Sequence, residues 1–230
     1  MEFLPQLNKH LIAFPHPSSA TKEGLVAWGG DLSPSRVYRA YQEGIFPWYS
    51  KNDPILWWSP NPRFVLELDE FKLSKSLKKS LKKFTFSFDE HFSEVIHSCA
   101  SVVRKNQEST WIVPEMIEAY QTLFAMGTAH SIECFFENKL VGGLYGVVVG
   151  GVFCGESMFS TKSDASKASL YVLVQHLQYW GYDFIDAQVY TPHLASLGAK
   201  EIPQEEFLKR LYASRFRNIQ HTWQIEKGCL

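Results

Sequence analysis

The sequence predicts a mixed α/β (α+β) fold, in which a small N-terminal domain precedes a larger domain built around a sheet. From residue 63 onward, helical and strand-like segments alternate, and three of the strands follow one another through short turns, which favours antiparallel pairing. Residues 1–62 are instead dense in Pro, Gly and Trp. We therefore predict a small domain over residues 1–62 and a main domain over residues 63–230.

The composition bounds the class of protein. Of the 230 residues, 45% are hydrophobic and 20% are charged, which is typical of a folded globular protein and excludes wholesale disorder. The formal net charge of −1 predicts no overall attraction to nucleic acid. There is no Cys-X-X-Cys motif, so we expect neither a disulfide scaffold nor a metal site. The four cysteines are Cys99, Cys134, Cys154 and Cys229.

Targeting signals are not apparent in the sequence. The N-terminal residues lack the basic start and apolar stretch of a signal peptide. The longest uncharged run, between Lys139 and Glu156, is shorter than the roughly 20 residues that a membrane-spanning helix needs. We therefore expect a cytoplasmic protein that makes no membrane contact.

One helix is predicted in the small domain. Ser33 is a suitable N-cap, Pro34 suits the first helical position, and Gly44 can end the segment. From Phe46 to Arg63 the residues show no periodicity, which predicts irregular packed chain.

The main domain shows regular patterns in order along the chain. The predicted strands are RFVLEL (63–68), FTFSF (84–88), SIECFF (131–136), LVGGLYGVV (140–148), VFCGESMF (152–159) and YDFIDAQV (182–189). The predicted helices are DEHFSEVIHSCA (89–100), PEMIEAYQTLFAMG (114–127), a long segment from Ser163 to Trp180, and EEFLKRLYASRF (205–216).

Six lysines lie between Phe71 and Phe84 with no acidic residue among them. They are Lys72, Lys75, Lys78, Lys79, Lys82 and Lys83. On a helix they would share one side, opposite a stripe of leucines. Setting these six aside leaves 17 of the 23 basic residues against 24 acidic ones, so the segment carries +6 and the remainder −7. Like charges repel, which favours a polyanion such as nucleic-acid phosphate as their partner. An ordinary solvated helix face is the alternative.

A polar pair interrupts the strand YDFIDAQV. Asp186 and Gln188 share one face of this strand, while Ile185, Ala187 and Val189 form an apolar face that should pack on a helix. Buried polar groups need partners. The pair could align an attacking group, although hydrogen bonding to neighbouring loops is the simpler interpretation of these residues alone.

Other features give weaker evidence on function. Glu156 interrupts the apolar strand VFCGESMF and also needs a partner. Trp48 and Trp111 lie beside turn-like segments, where a ring can be exposed, although tryptophans more often lie in cores. Between Gly155 and Gly181 there is no glycine, which disfavours the Gly-rich turn that holds the pyrophosphate of coenzyme A, and we expect no cofactor.

Several long motifs together resemble one known family. They are GGDLSP (29–34), GIFPWYS (44–50), DPILWWSPNPR (53–63), TWI (110–112), LVGGLYGV (140–147), FCGESMFS (153–160), DAQV (186–189) and HLASLGAKEIP (193–203). From about Ile12 to Pro203 the chain is similar, in register, to the bacterial leucyl/phenylalanyl-tRNA–protein transferases. The resemblance implies a GNAT-like acyltransferase domain attached to a small N-terminal domain.

The resemblance also implies an activity. Such enzymes move Leu or Phe, and less readily Met, from aminoacyl-tRNA to the N-terminal α-amine of proteins that begin with Arg or Lys. The product is marked for degradation by the N-end rule pathway. The implied partners are therefore Leu-tRNA, Phe-tRNA and acceptor proteins. A GNAT-like acetyltransferase that uses coenzyme A and a non-catalytic tRNA-binding module remain as alternatives.

The family motifs imply roles for individual residues. Trp48 and Trp111 would sandwich the terminal adenosine of the tRNA. Asp186 and Gln188 would be the catalytic pair. An amide is too weak a base to take a proton, so we interpret Gln188 as a hydrogen-bond acceptor that orients the attacking amine, with Asp186 polarising Gln188 and helping the proton leave. From its charge alone, the lysine-rich segment is expected to bind tRNA phosphates. The implied pocket for the aminoacyl side chain is formed by Leu144, Phe153, Glu156, Met158, Leu170 and Ile185.

Overall fold

The N-terminal part of the chain forms a small four-stranded sheet. The computed structural model describes residues 4–102 and 111–229. The small sheet has the order β1-β2-β4-β3, with β1 parallel to β2 and the other neighbours antiparallel. Its strands are β1 (Gln6–Leu7), β2 (Leu25–Gly29), β3 (Phe46–Pro47) and β4 (Leu56–Trp58). Helix α1 (Pro34–Gln42) connects β2 to β3.

The predicted helix is confirmed, but one detail of its start is wrong. It begins at Pro34, and Gly44, with a φ of +76°, turns the chain after its end. The Ser33 hydroxyl makes no capping hydrogen bond; instead, the Ser33 backbone N–H donates to Asp31 Oδ1 at 2.9 Å. The prediction of irregular chain after Phe46 is also wrong where β3 and β4 form. Strands of two and three residues are too short to show an alternating pattern.

The second part of the chain forms a seven-stranded mixed sheet. Its order is β11-β5-β10-β9-β8-β7-β6, and every neighbouring pair is antiparallel except β9 and β10. Its strands are β5 (Arg63–Glu67), β6 (Thr85–Phe88), β7 (Ala129–Phe136), β8 (Lys139–Val149), β9 (Val152–Ser160), β10 (Phe184–Gln188) and β11 (Lys200–Ile202). The predicted mixed α/β class is confirmed. The predicted boundary at residue 62 falls between β4 and β5 and stays a prediction.

Helices cover both faces of this sheet. They are α2 (Lys75–Leu81), α3 (Phe92–Ser101), α4 (Pro114–Ala125), α5 (Ala165–Trp180), α6 (Pro192–Ser196) and α7 (Gln204–Ser214). Helix α5 packs on one face in a core that it shares with the C-terminal residues. Helices α3, α4 and α7 pack on the other face, in a core that continues into α1 and the small sheet. The small sheet and the large sheet therefore share one hydrophobic core.

The lysine-rich helix is shorter than its sequence suggests. Only Lys75, Lys78 and Lys79 of the six lysines lie on α2, so the expectation of one helix from Phe71 to Phe84 is wrong at both ends. The Ser74 hydroxyl accepts the Leu77 N–H at 3.1 Å and fixes the first turn. All six lysines are exposed, as predicted for a charged face.

Residues 215–229 form a tail that follows α7 and packs on the face of the large sheet that α5 covers. Trp223 packs with its ring centroid 3.9 Å from that of His130, and 6.2 Å from that of Phe153. The Glu226 N–H donates to His176 Nε2 at 3.0 Å, which ties the tail to α5. Among the described residues, no helix is long and apolar enough to cross a bilayer.

Candidate active site

A cavity of about 560 Å³ opens where two neighbouring strands separate. The parallel pairing of β9 with β10 ends at Cys154 and Asp186. Beyond this point the two strands diverge, and residues 155–158 and 187–191 line the cavity between them. The small sheet adds Phe46, Pro47 and Trp48 to one side. The separation of two strands therefore creates the space.

Most of the predicted site residues meet in this cavity. Those that line it are Trp48, Trp111, Leu144, Phe153, Glu156, Met158, Leu170, Ile185 and Gln188. Asp186 lies beside the cavity, outside its lining, and the six lysines lie elsewhere on the surface. Thr110 of the TWI motif falls outside the described residues. The functional roles of these residues stay predictions.

A β-bulge aims Glu156 into the cavity. In the pairing of β8 with β9, Tyr145 faces Ser157 and Gly146 faces Gly155, so Glu156 is an extra residue without a partner in the ladder. A bulge of this kind re-aims a side chain. A Cβ atom at Gly146 would lie 2.5 Å from the Phe153 ring. Glycine at this position therefore makes room for the aromatic wall beside Glu156.

Glu156 is partly buried and lies within a chain of hydrogen bonds. Tyr120 Oη donates to Glu156 Oε2 at 2.8 Å, and Gln188 Nε2 donates to Glu156 Oε1 at 2.6 Å. The Tyr120 hydroxyl also contacts the hydroxyl of Tyr41. Burial raises the pKa of Glu156 to about 7, although these hydrogen bonds favour its charged form. The site therefore holds a carboxyl that titrates near neutral pH.

A second bulge positions Gln188. Asp186 pairs with Val65 and Gln188 with Phe64, so Ala187 is the extra residue, and Gln188 has a φ of +63°. Non-glycine residues rarely adopt this left-handed conformation, which is enriched at functional sites. The Gln188 N–H donates to Asp186 Oδ1 at 3.0 Å. The amide of Gln188 is thus held toward the cavity at its backbone and at its side chain.

The bulge also changes the predicted apolar face of this strand. Ile185 and Ala187 pack in the core of α5, as the alternation predicts. Val189 packs in the opposite core, so the prediction that all three share one face is wrong at this residue. An inserted residue shifts the alternation by one position, which sequence periodicity does not reveal.

Asp186 forms a buried ion pair that the sequence analysis missed. Arg63 Nε donates to Asp186 Oδ1 at 2.8 Å, Arg63 Nη2 donates to Oδ2 at 2.7 Å, and each side chain is 1% exposed. Arg63 Nη1 also donates to the Gly44 carbonyl at 3.2 Å. The guanidinium lies over the rings of Phe46 and Phe207. Arg63 therefore links β10 to the small sheet and α7.

The two predicted stacking rings lie at the same cavity. Trp48 is 38% exposed and follows β3 directly. Its backbone carbonyl accepts the Trp58 indole N–H at 2.6 Å, and the two rings lie 5.7 Å apart at a tilt of 60°. Trp111 is half-buried and also lines the cavity. The Trp48 indole, which packs against Trp58, and the Trp111 indole, which precedes α4, are thus both available to a ligand in the cavity.

Residues outside the predicted site also surround the cavity. Tyr190 lines it and is 56% exposed. His193 also lines it, and its pKa is lowered by burial and by the nearby charge of Lys167. Tyr41 and Tyr120 come from α1 and α4, and nothing in the pattern of either helix indicated that their hydroxyls meet at Glu156. Within residues 4–102 and 111–229, no group of three or more His, Cys, Asp or Glu residues is placed to hold a metal ion.

Comparison with protein families decides the assignment. A family model described as leucyl/phenylalanyl-tRNA protein transferase matches residues 65–212, and a model of the N-terminal domain of the same transferase matches residues 30–61. The chain belongs to this family. The family resemblance and the prediction of a transferase enzyme are therefore confirmed.

Relatives in this transferase family align over nearly the whole chain. A leucyl/phenylalanyl-tRNA–protein transferase from Sulfurimonas denitrificans is 59% identical over 222 residues, which cover 96% of this chain and 97% of the relative. The transferase from Desulfatibacillum aliphaticivorans is 50% identical over 94% of each chain. That from Hahella chejuensis is 47% identical over 98% of this chain and 97% of the relative.

Solved structures of more distant proteins were also found. The L-PGS structure from Bacillus licheniformis has a TM-score of 0.37 at 14% identity, covering 68% of this chain and 53% of that one. A GCN5-related N-acetyltransferase from Kribbella flavida has a TM-score of 0.35 at 10% identity, covering 71% of this chain and 59% of that one.

Proposed function

We propose that this transferase moves Leu or Phe, and less readily Met, from aminoacyl-tRNA to the N-terminal α-amine of proteins that begin with Arg or Lys. The transfer would mark these proteins for degradation by the N-end rule pathway in the cytoplasm. The observation that carries the proposal is the cavity itself, which combines an apolar wall, two indoles and a Glu156–Gln188 pair. These features match the three parts of the donor: a hydrophobic side chain, an adenosine and a reactive ester.

The apolar wall supports a hydrophobic aminoacyl group. Leu144, Phe153, Leu170 and Ile185 are each at most 3% exposed and surround one side of the cavity, and the flexible Met158 lies next to them. An apolar pocket discriminates by about 1–3 kcal/mol per methylene, so its selection among large hydrophobic side chains is loose. This accounts for the acceptance of Leu, Phe and Met at one site.

Trp48 and Trp111 support binding of the tRNA end. Single-stranded RNA is commonly held by stacking of its bases on aromatic rings. In the proposed complex the terminal adenosine lies between the two indoles, with the ester bond directed at Glu156 and Gln188. The exposed lysines then bind phosphates of the tRNA body without reading its bases.

In the proposed reaction, the acceptor's α-amine attacks the ester carbonyl and the ribose oxygen leaves. An α-amine with a pKa near 8 is about one-tenth neutral at pH 7, whereas a lysine side chain is far less so. The terminal amine is therefore the competent nucleophile. Gln188 Nε2 is engaged by Glu156, which leaves the Gln188 carbonyl oxygen to accept a hydrogen bond from the amine. Asp186 holds Gln188 in place through its backbone N–H.

The decisive experiment is direct. The protein is incubated with Phe-tRNA or Leu-tRNA and a peptide that begins with Arg, and the peptide mass is measured. We expect a Phe or Leu adduct at the N-terminus, no adduct with an N-acetylated peptide, and no acetylation from acetyl-coenzyme A. Failure to form an aminoacyl adduct under any condition would overturn the proposal.

Replacing Gln188 by Ala should lower turnover by about 10²-fold or more while leaving aminoacyl-tRNA affinity nearly unchanged, because the amide positions the amine and not the tRNA. Single-turnover rates and equilibrium binding measured on the same preparation separate the two effects. Gln204→Ala serves as the control, since the side chain of this buried glutamine donates to the Ser59 carbonyl and lies outside the cavity lining. A loss of affinity at normal turnover in Gln188→Ala would contradict the role.

Charge reversal at Lys75, Lys79 and Lys82 should weaken binding to all accepted tRNAs similarly. If each lysine neutralises one phosphate, the slope of log affinity against log salt should fall by about 2–3. Filter binding between low and physiological salt measures this slope. Lys209→Glu is the control, because Lys209 is exposed on α7 and shares that helix with Glu205 and Glu206. This change should leave the slope unchanged. If the triple variant keeps the wild-type slope, the lysine-rich segment does not bind tRNA phosphates and is an ordinary solvated surface.

A further inference from the structure

We propose that the Glu156 carboxylate accepts the proton that the attacking α-amine loses, and that Tyr41 and Tyr120 are positioning residues that hold this carboxylate in place. The inference rests on the proposed function, because it concerns the amine transfer at the same cavity. It assigns to Glu156 a step that the sequence analysis gave to Asp186.

Position favours Glu156 over every other described acid. It supplies the only carboxylate among the described residues that line the cavity. Its Oε1 lies 2.6 Å from Gln188 Nε2, so it adjoins the group that orients the amine. A proton acceptor must lie within hydrogen-bond reach of the nitrogen, directly or through one water, and Glu156 meets this condition when the amine binds at Gln188.

Asp186 is already occupied. Both of its oxygens accept hydrogen bonds from Arg63, and Oδ1 also accepts the Gln188 N–H. A carboxylate in a buried bidentate pair with arginine would have to give up that pairing to take a proton. It also lies outside the cavity lining. Asp186 therefore acts on the reaction through the backbone of Gln188.

The surroundings of Glu156 suit a group that exchanges a proton at neutral pH. The titratable groups that face it are the hydroxyls of Tyr41 and Tyr120, the thiol of Cys154 and the Asp186 carboxylate. The pKa of Cys154 and of both tyrosines is raised well above its ordinary value by burial, so these three stay neutral. Asp186 raises the pKa of Glu156 further, which reaches about 7, near the value that suits a general base.

The two tyrosine hydroxyls form a chain of hydrogen bonds in which each one donates toward Glu156. The Tyr120 hydroxyl proton is used in the bond to Glu156, so its oxygen accepts the hydroxyl proton of Tyr41. Tyr41 lies on α1 and Tyr120 on α4. The carboxylate on β9 is therefore oriented by two helices, one of which belongs to the small N-terminal part of the chain.

The proton balance closes within the site. The neutral amine forms a bond to the ester carbonyl carbon while the carbonyl π pair moves to the carbonyl oxygen, so the nitrogen becomes positive and the oxygen negative. Glu156 takes one proton from this nitrogen. The pair on the oxygen then re-forms the carbonyl, the bond to the ribose oxygen breaks, and the proton passes from Glu156 to that oxygen. The products are an amide and a free ribose hydroxyl, and the Glu156 carboxylate is regenerated.

The test is the pH dependence of the single-turnover rate with Phe-tRNA and an Arg-peptide, corrected for spontaneous ester hydrolysis. In the wild type both Glu156 and the acceptor amine must be deprotonated, so below pH 7 the logarithm of the rate should rise with pH with a slope of about 2. In Glu156→Gln only the amine titrates, so the slope should fall to about 1, and the rate at pH 7.5 should drop by about 10²–10⁴-fold. Glu118→Gln, an exposed glutamate on α4, should match the wild type.

A second variant tests the positioning role. Tyr120→Phe removes the hydroxyl that stabilises the charged carboxylate, so the Glu156 pKa should rise and the acid limb of the profile should move to higher pH. Rates above that limb should recover toward the wild-type value. Tyr179→Phe, at an exposed tyrosine of α5, should not move the limb. A merely structural role for Tyr120 would lower the rate at every pH without moving the limb.

The outcomes separate the inference from the proposed function. If the wild type forms no adduct at any pH, the proposed function fails. If the wild type forms the adduct and Glu156→Gln keeps a slope of about 2, only the inference fails. Thermal unfolding shows whether Glu156→Gln folds. If it does not, the pH–rate profile of Tyr120→Phe is the test, and an acid limb at the wild-type pH overturns the inference.

Discussion

Replacing Arg63 by Ala should lower the free energy of unfolding by about 3–5 kcal/mol, a large part of the roughly 5–15 kcal/mol that holds a typical domain together. The change removes the arginine partner of the Asp186 carboxylate, which is 1% exposed in the intact protein. It also removes the guanidinium that packs between the rings of Phe46 and Phe207. Urea unfolding should show a lower midpoint with an unchanged slope.

Two companion variants identify the cause of this loss. Arg210→Ala breaks a more exposed bidentate pair with Glu67, and should cost at most about 1 kcal/mol. A double variant, Arg63→Met with Asp186→Leu, removes both charges and should be less destabilised than the sum of the two single changes. Additive losses in the double variant would show that the ion pair is not what Arg63 contributes.

Replacing either Trp48 or Trp111 by Ala should weaken binding of aminoacyl-tRNA by roughly 5- to 150-fold, because stacking on one ring is worth about 1–3 kcal/mol. The reason is geometric: both indoles line the cavity, and one is supported by Trp58. Equilibrium binding of charged tRNA measures the effect. A tRNA that lacks its terminal adenosine should bind the wild type and both variants equally.

A matched control shows whether the effect belongs to the cavity. Tyr179 is 66% exposed on α5 and lies outside the cavity lining, so Tyr179→Ala removes an accessible ring elsewhere and should leave affinity unchanged. Equal affinities of intact tRNA for the wild type and for both tryptophan variants would remove the indoles from the proposed complex.

The long elements could be predicted because their patterns are local. The meander of β7, β8 and β9 shows alternation and turn residues, and α5 shows a helical run that ends at Gly181. The small sheet could not be predicted, since its strands have two to five residues and pair with distant segments. The position of β5 between β10 and β11 could not be predicted either, because strand order depends on contacts between residues far apart in sequence.

The site was predictable only in part. Family motifs pointed to residues that the structure brings to one cavity, such as Trp48, Glu156 and Gln188. The partners of these residues were not predictable. Arg63 is 123 positions from Asp186, and the hydroxyls of Tyr41 and Tyr120 meet only when α1 packs on α4. The two bulges are backbone irregularities that depend on how the strands pair. They therefore cannot be predicted from residues 155–157 or 186–188 alone.

The C-terminal tail has a consequence for the apolar wall of the cavity. Ile219, Trp223 and Ile225 pack into the same core as this wall. Residues far downstream of β8 and β9 in the sequence therefore support the strands that carry it. The shape of the cavity thus depends on side chains that do not line it, and a substitution among them can alter the pocket without touching a ligand.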